Sequence, residues 1–317
     1  MATAEMRVNK SERYLTGVAS GVGAGALWGL VFLAPRVLSG YSPLQLSAAR
    51  YLVYGVISAL FIASRWRRIR NHITLTDIRI LVRLSLLGNI VYYIFLVTAV
   101  RMAGIASTSL IIGLLPVMIT IIGSRENGAL PLRRLIGPLV VIGLGIFLMN
   151  IGLFLHRDAG AGAGTKAIGV GCAVVALLSW TIYAVENARW LNHAPQFTSS
   201  DWSLLTGVVT GALALLIALP AFLWNSGVTH SASNWSRFWL VSGAVAIGAS
   251  IVGNALWNEA SRILPLTLTG KMILFETLFA LLYGFLWERR FPHIFEAVSI
   301  ILLTFGVYWS AKRHQHI

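Results

Sequence analysis

The sequence predicts an all-α membrane protein, ten transmembrane helices arranged as two inverted five-helix repeats. Three observations predict it. The 317 residues are 57% hydrophobic and only 11% charged, with a mean hydropathy of +0.76, far more apolar than a soluble domain of this size. The apolar residues fall in about ten stretches of roughly 20, the length that carries a helix across a hydrocarbon core ~30 Å thick. The chain also repeats itself about its middle, and a unit of five spans, being odd in number, must cross the membrane in opposite senses in its two copies.

Taken in order, the polar, basic opening MATAEMRVNKSERY precedes an apolar run of about 24 residues with no small-residue cleavage site, so 15–38 reads as a first span rather than a signal peptide. Span 43–64 ends at the basic cluster RWRRIR (65–70), and spans 78–100, 105–123 and 134–155 complete the first unit, 1–157. DAGAGAGTK (158–166) lacks the Gly-Lys-Ser/Thr ending of a phosphate-binding loop and reads as a flexible linker. The second unit, 167–317, holds spans 167–190, 203–224, 238–260, 265–286 and 293–311. Gly21, Gly23 and Gly25 in the first span, with Gly137, Gly143 and Gly145 in the fifth, are expected to let helix backbones approach closely.

A net charge of +14 would suit nucleic acid if it lay on one soluble face, but here the Arg and Lys sit between apolar runs, the pattern of a chain held in a lipid bilayer. An N-terminus in the cytoplasm puts Arg36, Arg101, Arg157, Lys166, Arg237, Arg289 and Arg290 outside and leaves Arg50 and Lys271 within spans. The other sixteen of the 25 Arg and Lys then fall inside. That excess predicts a multi-pass protein of the plasma (inner) membrane with both termini cytoplasmic. The one cysteine, Cys172, rules out an intramolecular disulfide.

A shift of 161 residues superposes Ala99-Val100-Arg101 on Ala260-Ser261-Arg262, Gly123 on Gly284 and Gly145 on Gly306, and a shift of 152 superposes Trp28 on Trp180 and Pro43 on Pro195. Inverted repeats of this kind place a substrate site at their interface near the midplane. Candidate lining residues follow from the repeat. Asn89, Tyr93 and Leu96 share a helical face that maps onto Ser250, Asn254 and Trp257, and Tyr92 flanks it. Trp28 and Trp180 stand near mid-span with Tyr183 one turn from the latter, while tryptophans 66, 190, 202, 224, 235, 239, 287 and 309 lie nearer span ends and suit an interfacial aromatic belt.

Two charges fall well inside the ninth span, Lys271 and Glu276, about 5 and 10 residues past Leu266, and an intramembrane ionisable group marks a functional site by default. Five residues turn a helix by about 500°, so the pair faces some 140° apart and is expected to serve separate partners. Lys271 is the expected anchor for the carboxylate of a zwitterionic substrate, with the rings holding its side chain.

LLPVMITIIGSRE (114–126) and LFETLFALLYGFLWE (274–288) resemble the end of the EamA repeat, and SPLQLSAARY (42–51) resembles the Pro-to-Arg step that opens the repeat's second span. Thr277 stands where the second repeat usually has proline, and Trp287 precedes Glu288 where glycine is usual. The whole chain is similar to the ten-span drug/metabolite transporter superfamily, and its size and aromatic-rich core to the YddG-type aromatic amino-acid exporters. That resemblance implies export of small metabolites, amino acids including aromatic ones, through a central cavity, by a protein acting as a monomer without a cofactor. A carrier or channel for another solute class (nucleoside, sugar derivative or cationic drug) stays open. Intramembrane catalysis has little support, since the sequence holds neither a His-Glu-x-x-His pair nor a Gly-x-Ser-x-Gly nucleophile.

Overall fold

In a lipid environment every backbone polar group must find its partner within the chain, so apolar segments of this length adopt helices. The computed structural model describes residues 2–38, 40–126, 129–155, 163–193, 195–223, 231–289, 291–292 and 294–315, and all its regular elements are helical. The linker 158–166 lies for the most part outside the described residues.

In chain order the helices are α1 (Ala2–Gly29), extended by a 3-10 turn (Leu30–Leu33) and a short α2 (Ala34–Val37), then α3 (Pro43–Ile69) and α4 (Leu75–Ser85). A π-helical stretch, Leu86–Val91, leads into α5 (Tyr92–Ile112), followed by α6 (Leu115–Gly123) and α7 (Leu132–Leu155). The second unit has α8 (Ala163–His193), α9 (Ser199–Leu223), α10 (Ala232–Val245), a second π stretch (Ala246–Gly253), α11 (Asn254–Ile263), α12 (Leu266–Met272), α13 (Leu274–Glu288) and α14 (Ile294–Gln315).

Local chemistry sets several of these bounds. Ser42 and Gln45 close a capping box, Ser42 Oγ accepting from Gln45 N at 3.2 Å and Gln45 Oε1 from Ser42 N at 2.9 Å, with Pro43 in the first turn. Thr74 and Asp77 close another at the start of α4. Pro265 forces Leu264 into an extended conformation, φ −93° and ψ 148°, which separates α11 from α12.

Seven helical stretches among the described residues are long and apolar enough to cross a bilayer: Leu44–Ile69, Leu75–Leu96, Gly164–His193, Ser199–Leu223, Ala232–Ile263, Leu266–Trp287 and Ile294–His314. They answer to the expected second, third and sixth to tenth spans. The first, fourth and fifth are helical but not among the seven. α1 tightens into a 3-10 turn at Leu30, and the fourth span is interrupted at Gly113 and Leu114.

The expected junction at 100–105 falls inside the helical run of α5, yet the chain reverses there. A side chain at Gly169 would strike Ala103, Ser179 bonds Leu87, and Arg83 pairs with Glu186, so the chain from 83 to 103 runs antiparallel to α8. By Glu126 it has returned to Arg189, 20 residues and about 30 Å further along that helix.

The packing pairs α3 with α9, α5 with α8, α7 with α14 and α6 with α12, while α1 lies against α11 and α13. Gly21 and Gly25 serve close approach as expected, against Met272 and Phe275, but nothing lies within 4 Å of a side chain placed at Gly143. Where these pairs meet, the core is aromatic: Trp28, Trp180, Tyr183 and Trp257 belong to the largest buried cluster.

Candidate functional site

Three indoles from three helices meet at the centre. Ring centroids of Trp28 (α1) and Trp257 (α11) are 5.2 Å apart, Trp180 (α8) is 5.9 Å from Trp257, and Trp28 meets Trp180 edge-on at 6.3 Å and 84°. Tyr183 and Tyr92 extend the group, 5.6 and 6.5 Å from Trp180. Five of the candidate residues therefore form one cluster.

The two π stretches hold it in place. A π-helical turn leaves carbonyls without their usual helical partner, and Ala249 O accepts from Trp28 Nε1 at 3.0 Å while Leu87 O accepts from Ser179 Oγ at 2.8 Å. Gly88 and Gly253 give the room, since a side chain there would strike Tyr183 and Trp28 respectively. Trp257 Nε1 is the exception, a donor 1% exposed at the residue level with no hydrogen-bond partner among the described residues. A buried donor left unpaired costs about 1–3 kcal/mol, so it is a group that a ligand acceptor would satisfy.

Beside the rings lies a polar zone. Arg50 donates from Nε to Ser250 Oγ at 2.9 Å, and its guanidinium carbon sits 5.4 Å from the Tyr51 ring centroid. Tyr51 and Tyr93 meet edge-on at 6.5 Å. The Tyr54 hydroxyl donates to Ser203 O at 2.5 Å. Glu276 is within electrostatic reach of Arg50 and of the Tyr92 hydroxyl. A cavity of about 40 Å³, lined by Val31, Leu46, Ser47, Arg50, Tyr51 and Tyr93 among others, opens here. It has room for a few waters, well short of the 300–1,000 Å³ typical of a ligand site. A larger groove of about 360 Å³ lies on α14 at Phe305, Tyr308, Trp309, Lys312 and Arg313, away from the rings.

The other candidates go elsewhere. Asn89 donates to Thr210 Oγ1 at 3.2 Å on α9. Lys271 is fully buried, donating from Nζ to Thr267 O at 2.7 Å, and Thr267 shares a 2.6 Å hydrogen bond with His314, so this face of α12 turns toward the end of α14 rather than the rings. Glu276 stands in α13, beyond the break at Ile273, where its backbone packs against Gly25 one turn before Trp28.

Of the tryptophans assigned to the interfacial belt, Trp202 is internal, while Trp235 is only partly buried near the start of α10. Trp202 is 0% exposed and donates to Asn187 Oδ1 at 3.0 Å, and Asn187 in turn donates to Asn258 at 2.9 Å. Trp235 packs 5.3 Å from Tyr41 and 5.4 Å from Phe238. Trp224 lies outside the described residues. Arg50 is the residue that sequence reasoning passed over, although its charge inside the second span was the signal.

The chain is similar to known proteins along most of its length. The profile of the EamA-like transporter family matches residues 15–151. The inner membrane protein YtfF of Escherichia coli (strain K12) is 32% identical over 307 residues, covering 94% of this chain and 95% of that protein. The uncharacterized transporter YoaV of Bacillus subtilis (strain 168) is 24% identical over 289 residues, covering 90% and 92%. A crystal structure of another protein superposes with a TM-score of 0.74 over 94% of this chain and 98% of that one, at 20% identity, which shows a shared fold.

Proposed function

Since this chain belongs to the EamA-like transporter family of the drug/metabolite transporter superfamily, we propose that it exports small metabolites, amino acids with aromatic side chains among them, by alternating access between two inverted five-helix repeats. The observation that carries the substrate class is the indole triad of Trp28, Trp180 and Trp257 with its unpaired Trp257 Nε1. Flat rings that pack on one another suit an aromatic side chain, which would stack on them once the helices part.

The repeat has its own support. The shift of 161 carries the π stretch 86–91 onto 247–252, inside the second one, 246–253. The packing of α3 on α9, α7 on α14 and α6 on α12 joins equivalent spans of the two units, and α5 on α8 mirrors α1 on α11. Location in the inner membrane with both termini cytoplasmic is part of the same reading, supported by the E. coli relative's name and by the charge excess. A monomer contains every ring of the cluster.

The test is efflux from proteoliposomes loaded with radiolabelled phenylalanine, with and without a pH gradient. Saturable efflux, accelerated by unlabelled phenylalanine on the far side, is the expected outcome. Non-saturable leak would point to a channel, and inertness toward all aromatic amino acids would overturn the substrate class.

A further inference from the structure

Resting on the reading of the ring cluster as the substrate chamber, we propose that Arg50 anchors the substrate's carboxylate and that Glu276 receives its ammonium, so that the chamber selects zwitterions. A charge placed within a span must face a cavity or a partner. Among the described residues no carboxylate forms an ion pair with Arg50. Its one hydrogen bond, from Nε to Ser250 Oγ at 2.9 Å, fixes the plane of the guanidinium and leaves both terminal amino groups free of a described partner, at the wall of the cavity. A guanidinium held this way presents the planar fork that matches a carboxylate bidentately.

Glu276 supplies the opposite pole. Its backbone packs against Gly25, one turn before Trp28 on α1, and among the described residues it forms no ion pair with Arg50, although the two lie within electrostatic reach of each other. The neighbouring residues Tyr93 and Tyr92 mark the two directions, Tyr93 toward Tyr51 beside Arg50, Tyr92 toward Glu276 and Trp180. A solute with both charges on one carbon and a flat side chain would bridge the poles and lay its ring against Trp180. Lys271, turned toward His314, is not placed to share this work.

Counterflow of radiolabelled phenylalanine in proteoliposomes tests this, with phenylalanine, phenethylamine (no carboxylate) and 3-phenylpropanoate (no amine) as competitors. For the wild type each analogue should compete roughly tenfold or more weakly than phenylalanine, because a buried charge built for a partner rejects a ligand lacking it. Arg50→Gln should erase the preference for phenylalanine over phenethylamine, Arg50→Lys should keep part of it, and Glu276→Gln should erase the preference over 3-phenylpropanoate. Thermal midpoints establish that each variant is folded. Should Arg50→Gln fail to fold, Ser250→Ala, which only frees the guanidinium, should loosen the carboxylate preference. Wild-type transport of phenylalanine with the carboxylate preference intact in Arg50→Gln, or lost equally for both competitors, overturns the anchor and leaves the amino-acid reading standing. A wild type that moves none of the three compounds overturns both.

Discussion

Asp201 shows how much one side chain holds at the polar end of the bundle. Its carboxylate, 2% exposed, accepts from Arg65 at 3.0 Å, Arg68 at 2.6 Å and the backbone N of Thr198 at 3.3 Å, tying the end of α3 to the first turn of α9. The two arginines are themselves 39% and 61% exposed, so water screens much of the attraction. Asp201→Ala is therefore expected to cost about 0.5–1.5 kcal/mol, the net worth of its hydrogen bonds, because the arginines and the exposed Thr198 N–H that it leaves regain water, and Asp201→Asn less, because the amide oxygen still accepts from Thr198. Thermal unfolding in detergent measures both; equal midpoints for wild type and Asp201→Ala would dismiss the tie. Residue chemistry of this kind was only partly legible in the sequence. The repeat and helical spacing singled out Trp28, Tyr92, Trp180, Tyr183 and Trp257, which do meet. Asn89 and Tyr93 were expected on one face, but the π stretch at 86–91 resets the helical phase, so that Asn89 turns to Thr210 and Tyr93 to Tyr51. Of the intramembrane cations the sequence drew attention to Lys271 and passed over Arg50, since which face of a helix meets a cavity depends on its neighbours.

Between elements, the tightest approach is α3 on α9. Gly207 and Gly211, four residues apart, present one side of α9 to Tyr54, Gly55 and Ser58, and a side chain at Gly55 would come within 2.5 Å of Gly211 Cα. Small residues at this spacing let two helix backbones touch, and dispersion contacts along the seam replace the hydrophobic drive that lipid removes. Gly211→Val would wedge the pair apart at a cost of about 1–3 kcal/mol or more. Gly143→Val is the matched control, facing open space, and should stay within about 0.5 kcal/mol of wild type. The comparison is read from thermal midpoint and the fraction of monodisperse protein; equal losses in both variants would mean that valine disturbs these helices by its propensity alone. The glycines at 21 and 25 were recognised from the sequence as packing positions, whereas the Gly55 and Gly211 seam was not, because a glycine's partner is set by tertiary pairing.

For the whole molecule, the helical membrane class follows from composition alone, while the number and sense of crossings do not, because a helical run such as α5 hides a reversal. Contacts restore part of that information. Tyr14 donates to Ala311 O at 3.1 Å, so the start of the expected first span, midway along α1, and the end of α14 share one end of the bundle. Gly17 lies against Ile263 and Leu264, Arg262 donates to Phe197 O at 2.8 Å, and the pairs of Asp201 with Arg65 and Arg68, Glu186 with Arg83 and Glu126 with Arg189 follow at the same end. These are cations that the charge count assigns to the cytoplasm. α8 runs toward that end through Glu186 and Arg189 and begins far from it, beside Ala103. The connection 158–166 should then lie across the membrane from both termini. Topology reporters inserted there and fused after Ile317 are expected to report opposite sides, with the C-terminal fusion cytoplasmic. If both reported the same side, five crossings could not separate them, the second unit could not be inverted relative to the first, and alternating access between the two would lose its geometric basis.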